Sequence, residues 1–457
     1  MSTPDPSLVA EILAVAGDTS RYDAFLSAGE RCRFCTEPVR LVGSSMTVDE
    51  ATGEVVELFS TEHLPRGELM KPCGTRRATR CPACAAIYKG DARALVHAGM
   101  AGGEGVPVSV ASRPMIFATL TAPSFGSVHR ESASGGPCHA RGPGRCQHGR
   151  LRSCVARHRS DDPVVGEAIC PACYDWEGAV LFNSSLSDLF RRTSIYARRN
   201  LARVSGQTVR EFDASARLSY LKVAEMQRRG VVHLHVICRL DGADGDDPPE
   251  SLSGAMLVLA LRLAVTQVRA PLPDNRGTAR WGDQFECQVL DGHAPVETCR
   301  IANYLAKYAT KGSDDAGALD RRVVGMGDLR LRTLPPQLRL MAETAWHLGG
   351  VDALAPLRLR GWTHTLGLRS HFLTKSRYFS ATFGLLRERR QTWQRAAHGV
   401  VSASLDRTLT VIGDWRFVRR GWNSSAETYL ATSEARRRAE SRRLAYEDRV
   451  LGCGAGA

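Results

Sequence analysis

The residues able to do chemistry gather in two short stretches. The first is Glu225-Met-Gln-Arg-Arg-Gly-Val-Val-His233-Leu-His235-Val. In an extended strand the side chains of His233 and His235 leave from one face, while Val232, Leu234 and Val236 leave from the other. One face is thus apolar and the other carries two imidazoles. Glu225 reaches them if the turn is right. A three-residue loop, Arg228-Arg229-Gly230, sets residue 225 opposite 233, with Gly230 in the left-handed position such loops commonly need. A two-residue loop would pair 225 with 234 and turn the carboxylate away. Directly opposed side chains have Cβ atoms about 5 Å apart, close enough to share one ion. Two imidazoles and a carboxylate leave coordination positions open to substrate, as catalytic metal sites do. The competing reading is a half-exposed strand with two surface histidines.

The second stretch is Ile301-Ala-Asn-Tyr304-Leu-Ala-Lys307-Tyr308-Ala-Thr-Lys311. On a helix Tyr304 and Tyr308 share a face, with Cβ atoms about 6 Å apart, and Lys307 and Lys311 repeat that spacing beside them. A phenol with a pKa of about 10 is a poor nucleophile at neutral pH. Attack on a phosphodiester needs a polarised phosphate, which a metal held by Glu225, His233 and His235 would provide. It also needs the developing charge stabilised, which a lysine one turn away would do. Two phenols on one face allow one to hold a DNA end while the other attacks. The competing reading is a helix that packs its tyrosine rings and solvates its lysines.

These stretches need elements to position them. Residues 113–123, RPMIFATLTAP, read as a strand closed by proline. A helical pattern covers residues 178–204. Two strands, 217–227 and 231–240, join at Arg228-Arg229-Gly230. Residues 251–268 read as a helix, 285–290 as a strand, and 297–311 as a helix stopped by Gly312. The order predicts an α+β domain with a central, mainly antiparallel sheet flanked by helices. Residues 329–348 are expected to be partly helical, and the arginine-rich tail helical. Three regions follow: 1–105, cysteine-rich; 106–315, the α+β domain that carries both stretches, with a zinc-binding insertion at about 126–176; and 316–457, a basic DNA-binding or accessory region.

Cysteine usage points to metal. Ten of the 14 cysteines lie between Cys32 and Cys173, which in a reducing compartment suggests zinc rather than disulfides. Cys32, Cys35, Cys81 and Cys84 form two C-x-x-C pairs suited to one tetrahedral Zn²⁺, with Cys73 as an alternative fourth ligand. A second site would use Cys170 and Cys173 with two of Cys138, Cys146, His148 and Cys154, the pair Cys146 and Cys154 being preferred. Residues 126–175 have few apolar side chains and are expected to need metal to order.

The chain has 457 residues and a net charge of +13, from 61 basic and 48 acidic residues. That excess fits a phosphate-bearing partner, though a merely basic enzyme would show it too. No run of about 18 apolar residues occurs, so no membrane span is expected. The N-terminus lacks a basic segment before its short apolar stretch, so a cytoplasmic location is expected. No G-x-x-x-x-G-K-[ST] loop is present, which argues against an NTP-driven helicase on this chain. Near the C-terminal end Trp362, Arg369, His371, Lys375, Arg377 and Tyr378 mix cations with rings, suited to single-stranded DNA. An amphipathic helix with a solvated basic face would carry the same residues.

Three motifs in order, Phe117-Ala-Thr-Leu-Thr121, His233-Leu-His235 and Tyr304-Leu-Ala-Lys307-Tyr308-Ala-Thr-Lys311, resemble those of replication initiators from actinobacterial plasmids and integrative elements. These belong to the HUH (histidine–hydrophobic–histidine) endonucleases. The likeness extends to Cys73-Gly-Thr-Arg-Arg, Cys170-Pro-Ala-Cys173-Tyr-Asp and Arg369-Ser-His-Phe-Leu-Thr-Lys-Ser, and so covers most of the chain. It implies an HUH fold and rolling-circle initiation by origin-specific nicking and joining. Mn²⁺ or Mg²⁺ would be the catalytic metal. A 5′-phosphotyrosine would form on Tyr308, with Tyr304 as a second nucleophile or a supporting phenol. Single-tyrosine relatives carry glutamate where Tyr304 stands. Origin DNA and the host replicative helicase and polymerase would be partners, and Arg369, Lys375, Arg377 and Tyr378 DNA contacts. Other roles for such residues are a two-tyrosine transposase, a relaxase, or a zinc-dependent DNA-binding regulator without catalysis.

Overall fold

The structure is a computed structural model and describes residues 5–64, 66–132, 135–139, 144–290, 295–310, 319, 321–397 and 409–454. In chain order the helices and strands are α1 (Pro6–Gly17), α2 (Thr19–Cys32), β1 (Val39–Asp49), β2 (Val55–Ser60), β3 (Leu69–Lys71), α3 (Pro82–Ala101), β4 (Met115–Leu120), α4 (Trp176–Val204), α5 (Val209–Ser215), β5 (Ala216–Met226) and β6 (Val232–Gly242). There follow α6 (Gly254–Gln267), β7 (Ala270–Pro271), β8 (Thr278–Ala279), β9 (Phe285–Val289), α7 (Pro295–Thr310), α8 (Met326–Arg330), α9 (Pro336–Leu348), α10 (Leu359–Trp362), β10 (Leu373–Lys375), α11 (Phe383–Ala397), β11 (Leu409–Arg420) and α12 (Ser425–Gly454). The fold is α+β with antiparallel sheets.

Two units compose the chain: Met1–Asp91 with Thr382–Ala457, and Ala92–Ala381. This corrects the sequential division at 105 and 315. Residues just beyond 315 stay with the sheet that carries β5 because β10 pairs with β5. The C-terminal segment joins the N-terminal one because β11 pairs along the whole of β1, from Val39↔Arg420 to Asp49↔Leu409. The C-terminal region is therefore not wholly helical: β11 lies between α11 and α12. In this unit a small core of Phe25, Phe34, Met70 and Trp422 surrounds the cysteines.

The second unit is built on a five-stranded sheet in the order β10-β5-β6-β4-β9, antiparallel at every pairing. Period-two alternation gives it one apolar face. Ile116, Ala118, Leu234 and Val236 join Leu186, Leu189 and Phe190 of α4 and Leu257 and Leu261 of α6 in one buried cluster. Helix α4 starts where the Asp175 carboxylate accepts from Gly178 N at 2.8 Å, an N-cap that satisfies a first-turn amide. The opposite face is left for polar side chains and α7, which packs on β5.

Candidate active site and metal centres

The β5–β6 hairpin has the register that a three-residue loop requires: Glu225 lies opposite His233, and Met226 opposite Val232. Gly230 takes φ 78°, and its Cα lies so close to Met341, Leu338 and Leu366 that a β-carbon would meet each at 3.1–3.2 Å. A side chain there would be strained by both conformation and space. The turn is gripped from two helices. Buried Asn183 of α4 donates to the carbonyls of Gly230 and Leu366, both at 2.9 Å, and accepts from Val232 N at 3.0 Å. Gln337 of α9 donates to Arg229 O at 3.1 Å and accepts from Ala168 N at 3.0 Å. Nothing local marks these two residues as parts of a site. Each is a polar residue on an otherwise apolar helix face, and that is the one sequence signal they give.

Glu225, His233 and His235 converge. One carboxylate oxygen, Oε2, lies 2.5 Å from His233 Nε2 and 2.9 Å from His235 Nε2. Burial by itself raises the Glu225 carboxyl, but hydrogen bonds and charge from the two histidines outweigh it and bring it down to about 2. Burial lowers His235, against the pull of Glu225, which favours the neutral imidazole a metal needs. The outer ring nitrogens also meet partners: His235 Nδ1 lies 3.3 Å from Thr119 Oγ1 on β4, and His233 Nδ1 lies 3.3 Å from Gln227 Nε2. Such partners orient imidazole ligands. Thr119 and Phe117 give the β4 motif its purpose, since Phe117 stacks on the His235 ring at 6.0 Å.

Helix α7 brings its tyrosines to this cluster. The rings of Tyr304 and Tyr308 lie 5.2 and 5.1 Å from that of His235 and 4.6 Å from each other. Ala302, Leu305, Ala306 and Ala309 are buried, which fixes the helix's rotation. Partial burial, a hydrogen bond donated to Tyr308 and the charges of Tyr308, Glu225 and Glu286 push the Tyr304 phenol well up. Glu286 of β9, opposite Thr119, is thus a further carboxylate near the cluster that sequence reading missed. Lys307 is exposed, its Nζ 5.8 Å from the Tyr308 ring centre. Lys311 and the expected stop at Gly312 lie outside the described residues.

Among the described residues three further groups could hold a metal ion. Cys35, Cys73, Cys81 and Cys84 form the first, with sulfur separations of 3.7 Å for the pairs 73–84, 81–35 and 84–35. A tetrahedral site with metal–sulfur bonds of about 2.3 Å needs edges of about 3.8 Å. Cys32, expected in this set, is not part of it. It ends α2 with its Sγ directed at Gly29 O, 3.6 Å away, and burial raises its thiol to about 11. Cys73 takes its place. In the second group Cys146 Sγ lies 3.6 Å from Cys170 Sγ, and His148 Nδ1 lies 3.2 Å from Cys173 Sγ. Cys154, expected there, lies instead with His129, Cys138 and His158.

A family model described as "Replication initiator protein, pSAM2" matches residues 21–436. The chain belongs to this replication initiator family. A replication initiator protein of Streptomyces ambofaciens is 37% identical over 463 residues, covering 97% of this chain and 96% of that one. No solved structure matches. In this initiator no helix among the described residues is long and apolar enough to cross a membrane. Arg369 is exposed. Lys375, on edge strand β10, donates to Ser376 O and Arg377 O, both at 3.3 Å. Tyr378, half exposed, has the guanidinium of Arg217 at 3.9 Å and that of Arg377 at 5.5 Å from its ring centre.

Proposed function

We propose that this initiator starts rolling-circle replication by nicking one strand of its origin and taking the 5′ end on Tyr308. The observation that carries the reading is the meeting of two phenols with a His–His–Glu cluster, on elements far apart in the chain. In the reaction the Tyr308 oxygen bonds to phosphorus and the bond from phosphorus to the 3′ oxygen breaks. The phenolic proton leaves to solvent, and the 3′ oxygen takes up a proton to become a free hydroxyl. Tyr304, kept protonated by burial, donates to the Tyr308 oxygen and stabilises the developing phenolate. Lys307, whose Nζ lies 5.8 Å from the Tyr308 ring centre, orients the phosphate. The donor set of Glu225, His233 and His235 fits a divalent cation with positions left open. When bound, Mn²⁺ or Mg²⁺ supplies polarisation of the scissile phosphate. Neutral His235, with Nδ1–H donating to Thr119, presents its Nε2 lone pair inward, and His233 is oriented by the amide of Gln227 at its Nδ1.

Once the displaced strand is complete, the Tyr304 oxygen bonds to phosphorus at the regenerated junction and frees a 3′ hydroxyl; that hydroxyl attacks the Tyr308 phosphotyrosine, and the Tyr308 phenol leaves as the circle closes. The group of Cys35, Cys73, Cys81 and Cys84 and that of Cys146, His148, Cys170 and Cys173 hold structural Zn²⁺. Arg369, Lys375, Arg377 and Tyr378 contact single-stranded DNA through phosphate charge and stacking. The 3′ hydroxyl primes a host polymerase, with a host helicase opening the duplex in the cytoplasm. Purified protein, single-stranded origin DNA and Mn²⁺ should yield a covalent adduct on Tyr308, found by denaturing gel and peptide mass spectrometry. EDTA and His233→Ala should each abolish it. Tight binding without an adduct on any origin-derived strand would overturn the reading and leave a zinc-dependent DNA-binding protein.

A further inference from the structure

We propose that His129, Cys138, Cys154 and His158 bind a further Zn²⁺, and that this ion braces the turn of the β5–β6 hairpin. The four ligand atoms lie within 4.8 Å of one another. His129 Nδ1 and His158 Nε2 are 3.2 Å apart, Cys154 Sγ and His158 Nε2 3.4 Å, and Cys138 Sγ and His129 Nδ1 3.9 Å. A tetrahedral zinc with bonds of about 2.3 Å to sulfur and about 2.0 Å to nitrogen requires edges of roughly 3.3–3.8 Å. The observed separations are close to those values. One thiolate and one imidazole are also supported from outside. Arg130 N donates to Cys138 Sγ at 3.2 Å, and His158 Nδ1 meets the Asp162 carboxylate at 2.8 Å. A carboxylate behind a histidine is the usual second partner of a zinc ligand. His139 Nδ1 is 3.0 Å from Cys138 Sγ, but His139 falls outside the four-residue group.

The site is tied to the hairpin by backbone. His129 N donates to Glu167 O at 2.8 Å, and Gly166 N donates to His129 O at 2.8 Å. Residues 162–168 then lie against the turn. Arg228 Nη1 donates to Asp162 O at 2.8 Å, and Ala168 N and Arg229 O meet on Gln337. Gly166, at φ 96°, comes so close that a β-carbon would meet Arg228 Cβ at 2.6 Å. The segment has few apolar residues, so metal is what orders it. The ion therefore acts at a distance from the reacting groups, by holding the turn that sets Glu225 opposite His233. This bracing deepens the nickase reading and rests on it only for its consequence in catalysis; the metal site and the contacts stand without it.

The test measures zinc and protection, not nicking. Full-length protein is purified without chelator, and zinc is counted by mass spectrometry beside the double variant Cys138→Ser/Cys154→Ser and His139→Ala. The double variant should hold one zinc fewer than the parent, and His139→Ala the same number. Amide hydrogen exchange should show residues 228–231 losing protection in the double variant, at least tenfold in rate. Asp162→Asn keeps all four ligands and guards against misfolding. It should release one zinc to a competing chelator at an affinity about 10–100-fold weaker. Equal zinc in parent and double variant, or unchanged exchange at 228–231 after loss of one zinc, overturns the proposal. Failure of nicking with these results intact would bear on the nickase reading alone.

Discussion

Asn183→Leu tests whether the hairpin is held from α4. The substitution keeps the approximate volume and removes every polar atom. Three buried backbone groups lose their partner: the carbonyls of Gly230 and Leu366 and the amide of Val232. Asn183 is fully buried, so water does not replace the lost bonds without entering the core. Each stranded group costs about 1–3 kcal/mol, and local relaxation makes the sum less than additive. The expected loss is roughly 3–5 kcal/mol, a large share of the roughly 5–15 kcal/mol that holds a domain together. Urea unfolding measures it, with Ser185→Ala as control. Ser185 Oγ bonds only to carbonyls of its own helix, at 2.7 and 3.1 Å, and its removal should cost under about 1 kcal/mol. Adduct formation per folded molecule should fall as well, because the turn sets the register of Glu225 against His233. A loss below about 1 kcal/mol for Asn183→Leu would refute the reasoning.

Tyr308→Phe should abolish the first covalent adduct, whereas Tyr304→Phe should leave it formed at about a tenth of the rate or less and block release of the closed circle; adduct gels with a time course separate the two. Cys73→Ser should lose one zinc and Cys32→Ser none, counted on the purified chain. Thr119→Val, which removes the partner of His235 Nδ1, should weaken Mn²⁺ binding by about 10–100-fold without unfolding the protein, read by metal titration. Lys222 is buried and its amine is lowered from its ordinary value of 10.5 to about 8 by desolvation. A lysine so lowered destabilises the fold fully below about 8, and the penalty fades as pH rises to 10.5. Since one unit is worth about 1.4 kcal/mol, the parent should gain up to roughly 3 kcal/mol relative to Lys222→Met between pH 7 and 10.5. Equal pH dependence of the two in urea titrations would contradict this.

What could be read in the residues alone was what local geometry decides. The parity of a three-residue turn puts Glu225 on the face of His233 and His235, and helical spacing puts Tyr304 and Tyr308 together, because both depend on contacts a few residues apart. Around them β4, α4, β5, β6, α6, β9 and α7 announced themselves by their patterning for the same reason, whereas the short α5, β7 and β8 gave no such signal. Only the tertiary structure decided the rest. Cys73 displaces Cys32 because α2 aims the Cys32 thiol back at Gly29, and spacing carries no information about that aim. Cys154 groups with His129 and His158 because the loop from 126 to 170 closes on itself through backbone bonds with no periodic pattern. The pairing of β1 with β11 and the grip of Asn183 and Gln337 on the turn join residues hundreds or tens of positions apart. Their partners are chosen by how whole elements pack, and short-range sequence does not encode that choice.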